Sequence, residues 1–444
     1  MATGTRYWIV MALATIGYIA FRSPEAFSHP VLSLDDGLLV ARMFAATDAS
    51  PLVSTFAGYI SLQTNLLAFL TVKLAPIEAV PFVFAGLSLS LYALAMSIFC
   101  LERFQGVLSD ARWRAAFCLA MLVLPTYTYN MAATLSFAIW NSALILVFLT
   151  VAGFPNGRRA LGIELCLRLF LAWSNPLSLT LAPIHLIGVF RHAKIGRRQA
   201  LAHLVMLLGL LAYLAFAIQS GGRALDPLLD AYRTIILLFD KGAIELFATV
   251  QGLVWLEAND WIWHARASVA LILVTGLLIA GARGQLMVPE NRWVLVLLVY
   301  LAIAFTAIYV VGRRDWAYGE KVMVSARFFY PVKAMVLMFA AILAHRLLSG
   351  VSRWRAMISV VAGVPLLALT QAPHTRDAMT GPFQGVYYKS YLTGLEGGPE
   401  PSNAAIQAWE WERQKKLLRQ VAAGETVRWD RGDASITLEP PRHQ

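Results

Sequence analysis

The stretch "AVPFVFAGLSLSLYALAMSIFCL" runs from Ala79 to Leu101 without a single charged residue. A helix rises about 1.5 Å per residue, so a run of this length can cross the hydrocarbon core of a bilayer, which is roughly 30 Å thick. The stretch therefore predicts a transmembrane helix and makes a membrane protein the first hypothesis for the fold.

The composition of the whole chain agrees with that hypothesis. Hydrophobic residues make up 58% of the 444 residues and charged residues 14%, and the mean hydropathy is +0.62. A water-soluble globular protein carries roughly 25% charged residues. The composition thus argues against a soluble enzyme and favours a chain with many membrane spans.

Apolar runs recur on both sides of the first stretch. They predict an all-α polytopic membrane protein with about 11 transmembrane helices, a long first outer loop and a small outer α/β tail. The predicted spans are Tyr7–Phe21, Ala79–Leu101, Ala115–Leu124, Phe137–Phe154, Leu161–Trp173, Leu177–Phe190, Ala200–Ile218, Ala267–Ala282, Trp293–Val311, Phe328–Ala344 and Met357–Ala372.

The basic residues predict the orientation. The net charge of +11 comes from short clusters between the apolar runs, which is the pattern of a membrane protein and not of a nucleic-acid-binding protein. About fifteen Lys and Arg residues fall on one side of the threading in short loops, and about eleven fall on the other side over roughly twice the length. The N-terminus is therefore expected inside the cell, and the C-terminus outside.

This threading divides the chain into two parts. Residues 1–372 form the predicted transmembrane domain, with residues 22–78 as its first outer loop, and residues 373–444 form the outer tail. In the tail, "WEWERQKKLLRQ" predicts a helix and "ETVRWDRGDASITLEPP" two short strands joined by a turn. A segment of about seventy residues is marginal as an independent domain, so we expect it to lean on the membrane part.

Two adjacent carboxylates, Asp35 and Asp36, stand in the first outer loop within "SLDDG". Neighbouring helical positions are about 100° apart, so if one carboxylate caps a helix the other can face a cavity. The alternative interpretation is that Ser33 and the acidic pair only start a helix. The sequence leaves both interpretations open.

A basic cluster marks the predicted outer segment "VGRRDWAYGEKVMVSARFFYP". Its Lys and Arg residues lie on the side that the orientation rule disfavours, which indicates an anionic ligand; the alternative is that they anchor lipid headgroups beside an aromatic belt. Guanidinium matches phosphate with two hydrogen bonds, so Arg327 is the preferred phosphate ligand. The residues predicted to bind the phosphate are Arg313, Arg314, Lys321 and Arg327.

A carboxylate and a basic cluster on the same face of a membrane suit group transfer from a lipid phosphate. The carboxylate can take the proton of an attacking hydroxyl, or hold a divalent metal that activates it. Arg and Lys can stabilise the charge that grows on the departing phosphate. The sequence shows no Walker, dinucleotide-binding or zinc-protease motif that would favour another chemistry.

These features together resemble the bacterial membrane glycosyltransferases of the GT-C class, a class that includes protein O-mannosyltransferases and aminoarabinose transferases. The resemblance rests on "SLDDG" in a long first outer loop and on "ARFFYP" before a late span. It implies a polyprenyl-phosphate sugar as donor and a cell-envelope glycan or lipid as acceptor. It also implies a site on the periplasmic side of the inner membrane.

The resemblance further implies that an acidic residue of the first outer loop is the catalytic base or a metal ligand, which maps onto Asp35 or Asp36. Many members have Glu-Asp there, so the Asp-Asp of this chain leaves open which position acts. A requirement for a divalent cation, Mg²⁺ or Mn²⁺, is left open as well. Two rival functions remain, namely a polymerase or ligase of lipid-linked glycans, and a transporter or flippase of envelope precursors.

Overall fold

The structure is a computed structural model that describes residues 3–22, 24–46, 48–56, 59–122, 132–193, 196–219, 231–244, 255–256, 259–282, 289–312, 330–347, 403–431 and 434–438. It is mostly helical. Its α-helices are α1 (Thr3–Arg22), α2 (Glu25–Ser28), α3 (Leu34–Ala45), α4 (Leu62–Leu74), α5 (Val80–Ser97), α6 (Ala111–Leu122), α7 (Ala138–Ala152), α8 (Arg158–Ala172), α9 (Ala182–Ala193), α10 (Arg197–Gln219), α11 (Ala231–Leu237), α12 (Ile262–Ala282), α13 (Pro289–Gly312), α14 (Tyr330–Leu347) and α15 (Asn403–Ala422).

Shorter elements join these helices. The 3₁₀-helices are Ser50–Val53, Ile77–Ala79, Ile98–Cys100, Glu102–Phe104, Leu135–Phe137 and Pro176–Leu181, and a π-helix follows α11 at Leu238–Ile244. Two antiparallel hairpins are present, β1 (Thr55–Phe56) with β2 (Tyr59–Ile60) and β3 (Val427–Arg431) with β4 (Ala434–Leu438). The helix and the hairpin predicted for the tail are confirmed.

Three helical stretches in the described part of the chain are long and apolar enough to cross a membrane: Ile77–Cys100, Leu135–Ala152 and Arg197–Gln219. A fourth apolar stretch, Trp293–Ala307 within α13, is shorter. The prediction of about 11 spans is therefore confirmed only in part. The described parts of the other predicted spans up to residue 344 lie largely on helices, but α6 and α9 have only 12 residues each, and Met357–Ala372 lies outside the described residues.

The end of α7 is closed by basic side chains. The helix stops before Gly153, whose φ of 73° favours glycine. Arg168 of α8 donates to the carbonyl of Leu149 at 2.6 Å and to that of Gly153, which also accepts from Arg103. These contacts satisfy carbonyls that the helix leaves without a partner at its C-terminus.

Arg168 lies in the short helix α8, but its side chain does not extend out of the helical bundle. Arg168 is 1% exposed, pairs with Glu164 one helical turn earlier and lies over the ring of Phe154 at 4.1 Å. A buried guanidinium is stable only where charge and hydrogen bonds compensate it, and here Glu164 and the end of α7 do so. Arg168 therefore stays inside the helical bundle.

The interior consists mainly of two apolar clusters. The larger cluster lies among α1, α5, α6, α7, α10, α13 and α14. The second cluster joins α3 to α15, since Leu39 and Val40 of α3 pack in it with Leu418 and Val421 of α15. The tail is thus packed against the rest of the chain, as its small size requires.

The hairpin of α9 and α10 depends on close contact at Gly188. A Cβ atom built on Gly188 would lie 2.4 Å from Nδ1 of His203, which is too near for any real contact. The same atom built on Gly86 of α5 would meet nothing within 4 Å. The two glycines therefore form a matched pair for testing the packing of the hairpin.

We predict that Gly188→Ala destabilises the protein by about 1–3 kcal/mol, because the methyl group forces the His203 ring or a helix to move. Gly86→Ala should be neutral or stabilising by up to about 1 kcal/mol, since alanine favours the helix. The measurement is thermal unfolding of the purified protein in detergent, followed by tryptophan fluorescence. Equal midpoints for the two variants would contradict the close packing of α9 on α10.

Candidate functional site

The acidic pair lies in the first turn of α3. The helix begins at Leu34, and Ser33 is its N-cap, with its Oγ accepting a hydrogen bond from the backbone N of Asp36 at 3.0 Å. Of the two interpretations left open by the sequence, the structure therefore has Ser33 as the cap, with Asp35 and Asp36 in the first turn. A serine hydroxyl can accept a hydrogen bond from the amide three positions on, so the cap uses neither carboxylate.

Asp36 points toward the start of another helix. Its Oδ1 accepts a hydrogen bond from the backbone N of Ser136 at 2.8 Å. Ser136 belongs to the 3₁₀-helix Leu135–Phe137, which leads directly into α7. The first amides of a helix have no partner within the helix and carry a partial positive charge, so a carboxylate is well placed there. This contact joins α3 to the apolar bundle.

The second carboxylate oxygen of Asp36 is buried without a hydrogen bond to any described residue. Asp36 is 1% exposed, and its Oδ2 has no hydrogen-bond partner among the described residues. Burial raises the pKa of Asp36 to about 6, because it removes water from the charged form; hydrogen bonds from Ser136 oppose the shift and the charge of Asp35 adds to it. Asp36 thus titrates near neutral pH.

Asp35 is in a different environment. Its side chain is half-buried, in contrast to that of Asp36, although the two residues are adjacent in the same helical turn. This difference follows from the rotation of about 100° between neighbouring helical positions. Of the two candidate residues, the structure therefore singles out Asp36 as the buried carboxylate.

The loop that carries the pair is ordered by contacts of its own. Arg42, near the end of α3, donates to Ser54 Oγ at 3.0 Å and to the carbonyl of Thr55 at 2.9 Å. Asn65 of α4 donates to the carbonyls of Leu52 and Ser54 at 3.1 and 3.0 Å. Helix α3, the β1–β2 hairpin and α4 are thereby fixed to one another, which gives Asp36 a rigid support.

A layer of polar side chains lies beside this support. The side chain of Gln63 in α4 contacts Ser142 of α7. The backbone N of Gln63 donates to Ser174 Oγ at 2.8 Å. Asn175 donates to the carbonyl of Ile139 at 2.8 Å. Ser142 is six residues after Ser136, or roughly 9 Å along a helix. These hydrogen bonds fix α4 and α7 to each other and to the residues that follow α8.

Sequence reasoning missed two residues of the site, Ser136 and Gln414. Gln414 lies in α15 and binds both backbone groups of Leu32, accepting from its N at 2.9 Å and donating to its O at 3.1 Å. A signal was present in the sequence, because Trp411, Gln414, Leu418 and Val421 recur at helical spacing and predict one buried face. A glutamine on such a face needs partners.

The predicted phosphate ligands cannot be placed relative to Asp36, since Arg313, Arg314, Lys321 and Arg327 all lie outside the described residues. For a metal, Asp36 offers one open carboxylate oxygen, and no group of three or more His, Cys, Asp or Glu side chains is assembled within the described ranges. Mg²⁺ takes six oxygen ligands. The described residues therefore do not form a metal cage by themselves.

The arrangement is suited to moving one proton. A carboxylate with a pKa of about 6 is mostly ionised at pH 7, yet it is basic enough to take a proton from a bound hydroxyl. Oδ1 is fixed by the amide of Ser136, so Oδ2 is the atom that can accept it. The site has the chemistry of a general base near neutral pH.

We predict that Asp36→Asn is more stable than the wild-type protein at pH 7, by up to about 3 kcal/mol, because it removes a buried charge. Asp36 has an ordinary pKa of 3.8 in the unfolded chain and about 6 in the folded one, so the folded protein binds its proton more tightly. The free energy of unfolding of the wild type should therefore fall as the pH rises from about 4 to 6.

The measurement is unfolding of the purified protein in detergent across this pH range. Asp36→Asn should lack the fall, whereas Asp35→Asn, as the matched control, should retain it with a small shift. A fall of equal size in Asp36→Asn would show that Asp36 is not the group responsible.

The chain was compared with family models, with curated proteins and with solved structures, and none of the three comparisons finds a match.

Proposed function

We propose that the chain is a membrane glycosyltransferase of the GT-C type. It would transfer a sugar from a polyprenyl-phosphate donor to a cell-envelope glycan or lipid on the periplasmic side of the bacterial inner membrane. In this proposal Asp36 is the catalytic base. The observation that carries it is the buried carboxylate of Asp36, with one oxygen held by Ser136 and the other open.

The surface of the helical bundle supports the membrane location. Helix α10 exposes a stripe of large apolar side chains at helical spacing, from Leu201 through Leu208 to Ile218, which are 59%, 56% and 69% exposed. A contiguous apolar face of this kind is unstable in water and suits contact with lipid chains. Helix α12 has a similar exposed pair, Leu271 and Ile272.

The proposed reaction forms one bond to the sugar and breaks another. The hydroxyl oxygen of the acceptor forms a bond to the anomeric carbon of the sugar, and the bond between that carbon and the phosphate oxygen breaks. The hydroxyl proton passes to Asp36 Oδ2, and the polyprenyl phosphate leaves with the electron pair. Basic residues stabilise the leaving phosphate, a role proposed for Arg327 and its neighbours from the sequence.

Access to Asp36 requires movement, because only 1% of this residue is exposed. Active sites that close over their substrates exclude water and strengthen the electrostatic interactions within them. A segment beside Asp36 therefore has to shift before the acceptor hydroxyl can reach Oδ2. The proposed site is one that opens for substrate and works when closed.

We predict that Asp36→Asn lowers sugar transfer by roughly 10²–10⁴-fold while the protein remains folded, because the amide cannot take the proton. Asp35→Asn should stay near wild-type turnover. The wild-type rate should fall as the pH drops through about 6, since the base is then protonated. The assay follows transfer in membranes supplied with polyprenyl-phosphate sugars.

Two outcomes of this assay would count against the enzyme. Near-wild-type turnover of Asp36→Asn would remove Asp36 from catalysis. Translocation of a lipid-linked precursor with no transfer of sugar would favour a transporter instead.

We further predict that Arg327→Ala raises the KM for the donor roughly 10–100-fold, since a hydrogen bond to a charged group is lost. Arg327→Lys should recover part of the affinity, because it keeps the charge but not the paired hydrogen bonds. Steady-state kinetics at varied donor concentration measures both effects. An unchanged KM in Arg327→Ala would leave the headgroup-anchor interpretation in place.

A further inference from the structure

We propose that the C-terminal helix α15 is part of the acidic-pair site, with Gln414 as a positioning residue that fixes Asp36. Gln414 binds the backbone of Leu32, immediately before the N-cap Ser33. The catalytic consequence of this contact rests on the proposed function. The contact itself and its effect on the pKa of Asp36 do not depend on the proposed function, and they can be tested without a transfer assay.

The geometry of Gln414 is that of a two-point clamp. Its Oε1 accepts from Leu32 N at 2.9 Å, and its Nε2 donates to Leu32 O at 3.1 Å. The two residues are 382 positions apart in the chain. Gln414 is 1% exposed and Leu32 is 1% exposed, so water does not compete for these hydrogen bonds.

The amide of Gln414 is held in one orientation. Its second Nε2 hydrogen bond goes to Glu410 Oε1 at 3.0 Å, one helical turn earlier in α15. A carboxylate accepts and cannot donate, so it selects the NH₂ side of the amide and leaves Oε1 for the N–H of Leu32. A glutamine is needed here because its side chain both accepts and donates.

Apolar contacts hold α15 in place around the clamp. Trp411 packs edge-on against Phe82 of α5, with ring centroids 5.1 Å apart. Leu418 and Val421 lie in the same apolar cluster as Leu32. The clamp is therefore the polar centre of a contact whose rim is apolar, and α15 cannot rotate without breaking it.

The clamp reaches Asp36 through a short path. Leu32 is followed by Ser33, whose Oγ accepts from Asp36 N at 3.0 Å and lies 3.4 Å from Ser136 Oγ. Asp36 Oδ1 then meets the backbone N of Ser136. Fixing the backbone at Leu32 thus fixes the start of α3, and with it the buried position of Asp36. The tail holds Asp36 from a distance.

The test uses Gln414→Met, which keeps the length of the side chain but removes all three hydrogen bonds. The matched control is Gln420→Met on the same helix, which removes only a local hydrogen bond to Glu425 at 3.1 Å. Gln414→Asn, which keeps the amide but is one methylene shorter, serves as a milder second variant if Gln414→Met does not fold.

The first measurement is hydrogen exchange in the full-length protein, which needs no substrate. The amide of Leu32 should exchange on the order of tenfold faster in Gln414→Met than in the wild type, because its buried acceptor is gone. The control should match the wild type. Unchanged exchange at Leu32 would overturn the clamp.

The second measurement is the pH dependence of two properties. A loosened start of α3 lets water reach Asp36, so the pKa should move from about 6 toward 3.8. The free energy of unfolding should therefore fall less as the pH rises from about 4 to 6. As the pH is lowered, the rate of sugar transfer should start to fall at a lower pH than in the wild type. The kcat should be lower by roughly tenfold or more. A change that only destabilises the protein would lower the amount of active enzyme without changing the pH at which the transfer rate falls.

The outcomes separate the two proposals. Faster exchange at Leu32 with an unmoved stability profile would show that Gln414 holds the loop but does not position Asp36. A shifted stability profile in a protein that transfers no sugar would support the positioning role and remove the glycosyltransferase. If the wild type transfers sugar and Gln414→Met has the same kcat and the same pH dependence of the rate, the catalytic consequence is overturned.

Discussion

The cost of burying polar groups shapes this molecule more than any other constraint. A chain with 58% hydrophobic residues has little water inside, so each interior hydrogen-bonding group must find its partner within the protein. Arg168 meets this constraint at the C-terminal end of α7, where it binds the carbonyls of Leu149 and Gly153. Asp36 meets it only in part, at the opposite end of the same helix.

Helix α7 thus connects the two ends of the apolar bundle. Its first amides attract a carboxylate and its last carbonyls attract two guanidinium groups, which is the distribution that the helix dipole favours. At the basic end, the carbonyls of Leu149 and Gly153 accept hydrogen bonds from Arg168, which is a structural role. At the acidic end, Asp36 Oδ2 has no hydrogen-bond partner among the described residues, and its burial is unfavourable to folding. A protein that retains such a group gives up stability, which is common at functional sites.

Helix α3, helix α15 and the β3–β4 hairpin pack together around that group. Leu32 and Val40 from the loop pack in one cluster with Leu418 and Val427 from the tail. Helix α3 also contacts strand β4 of the tail hairpin. Segments nearly four hundred residues apart in the chain therefore support a single carboxylate, and a truncation of the tail would alter the site as well as the tail.

Local pattern was sufficient for much of the architecture. Apolar runs placed the helices α5, α7 and α10, and the spacing of apolar residues with the turn residues of "WDRGD" placed α15 and the last hairpin, because these signals depend on neighbours in the sequence. The acidic pair was also visible as two charges in an apolar chain. The prediction of about 11 spans is confirmed in the described residues only for Ile77–Cys100, Leu135–Ala152 and Arg197–Gln219, because a short apolar run such as Ala115–Leu124 does not by itself distinguish a span from a buried helix.

The different roles of Asp35 and Asp36 were decided only in the tertiary structure. Both residues have the same side chain and lie in the same turn, so no local property separates them. Asp36 is the buried one because its Oδ1 is held by Ser136, which lies 100 residues further along the chain. Gln414 holds the neighbouring Leu32 across 382 residues. Burial and hydrogen bonding at such separations depend on how helices pack, and the pKa of a carboxylate follows from that packing. The sequence determined that a charged pair would stand beside an apolar bundle. The packing of α3 against α4, strand β4 and the 3₁₀-helix Leu135–Phe137 determined which carboxylate lost its water.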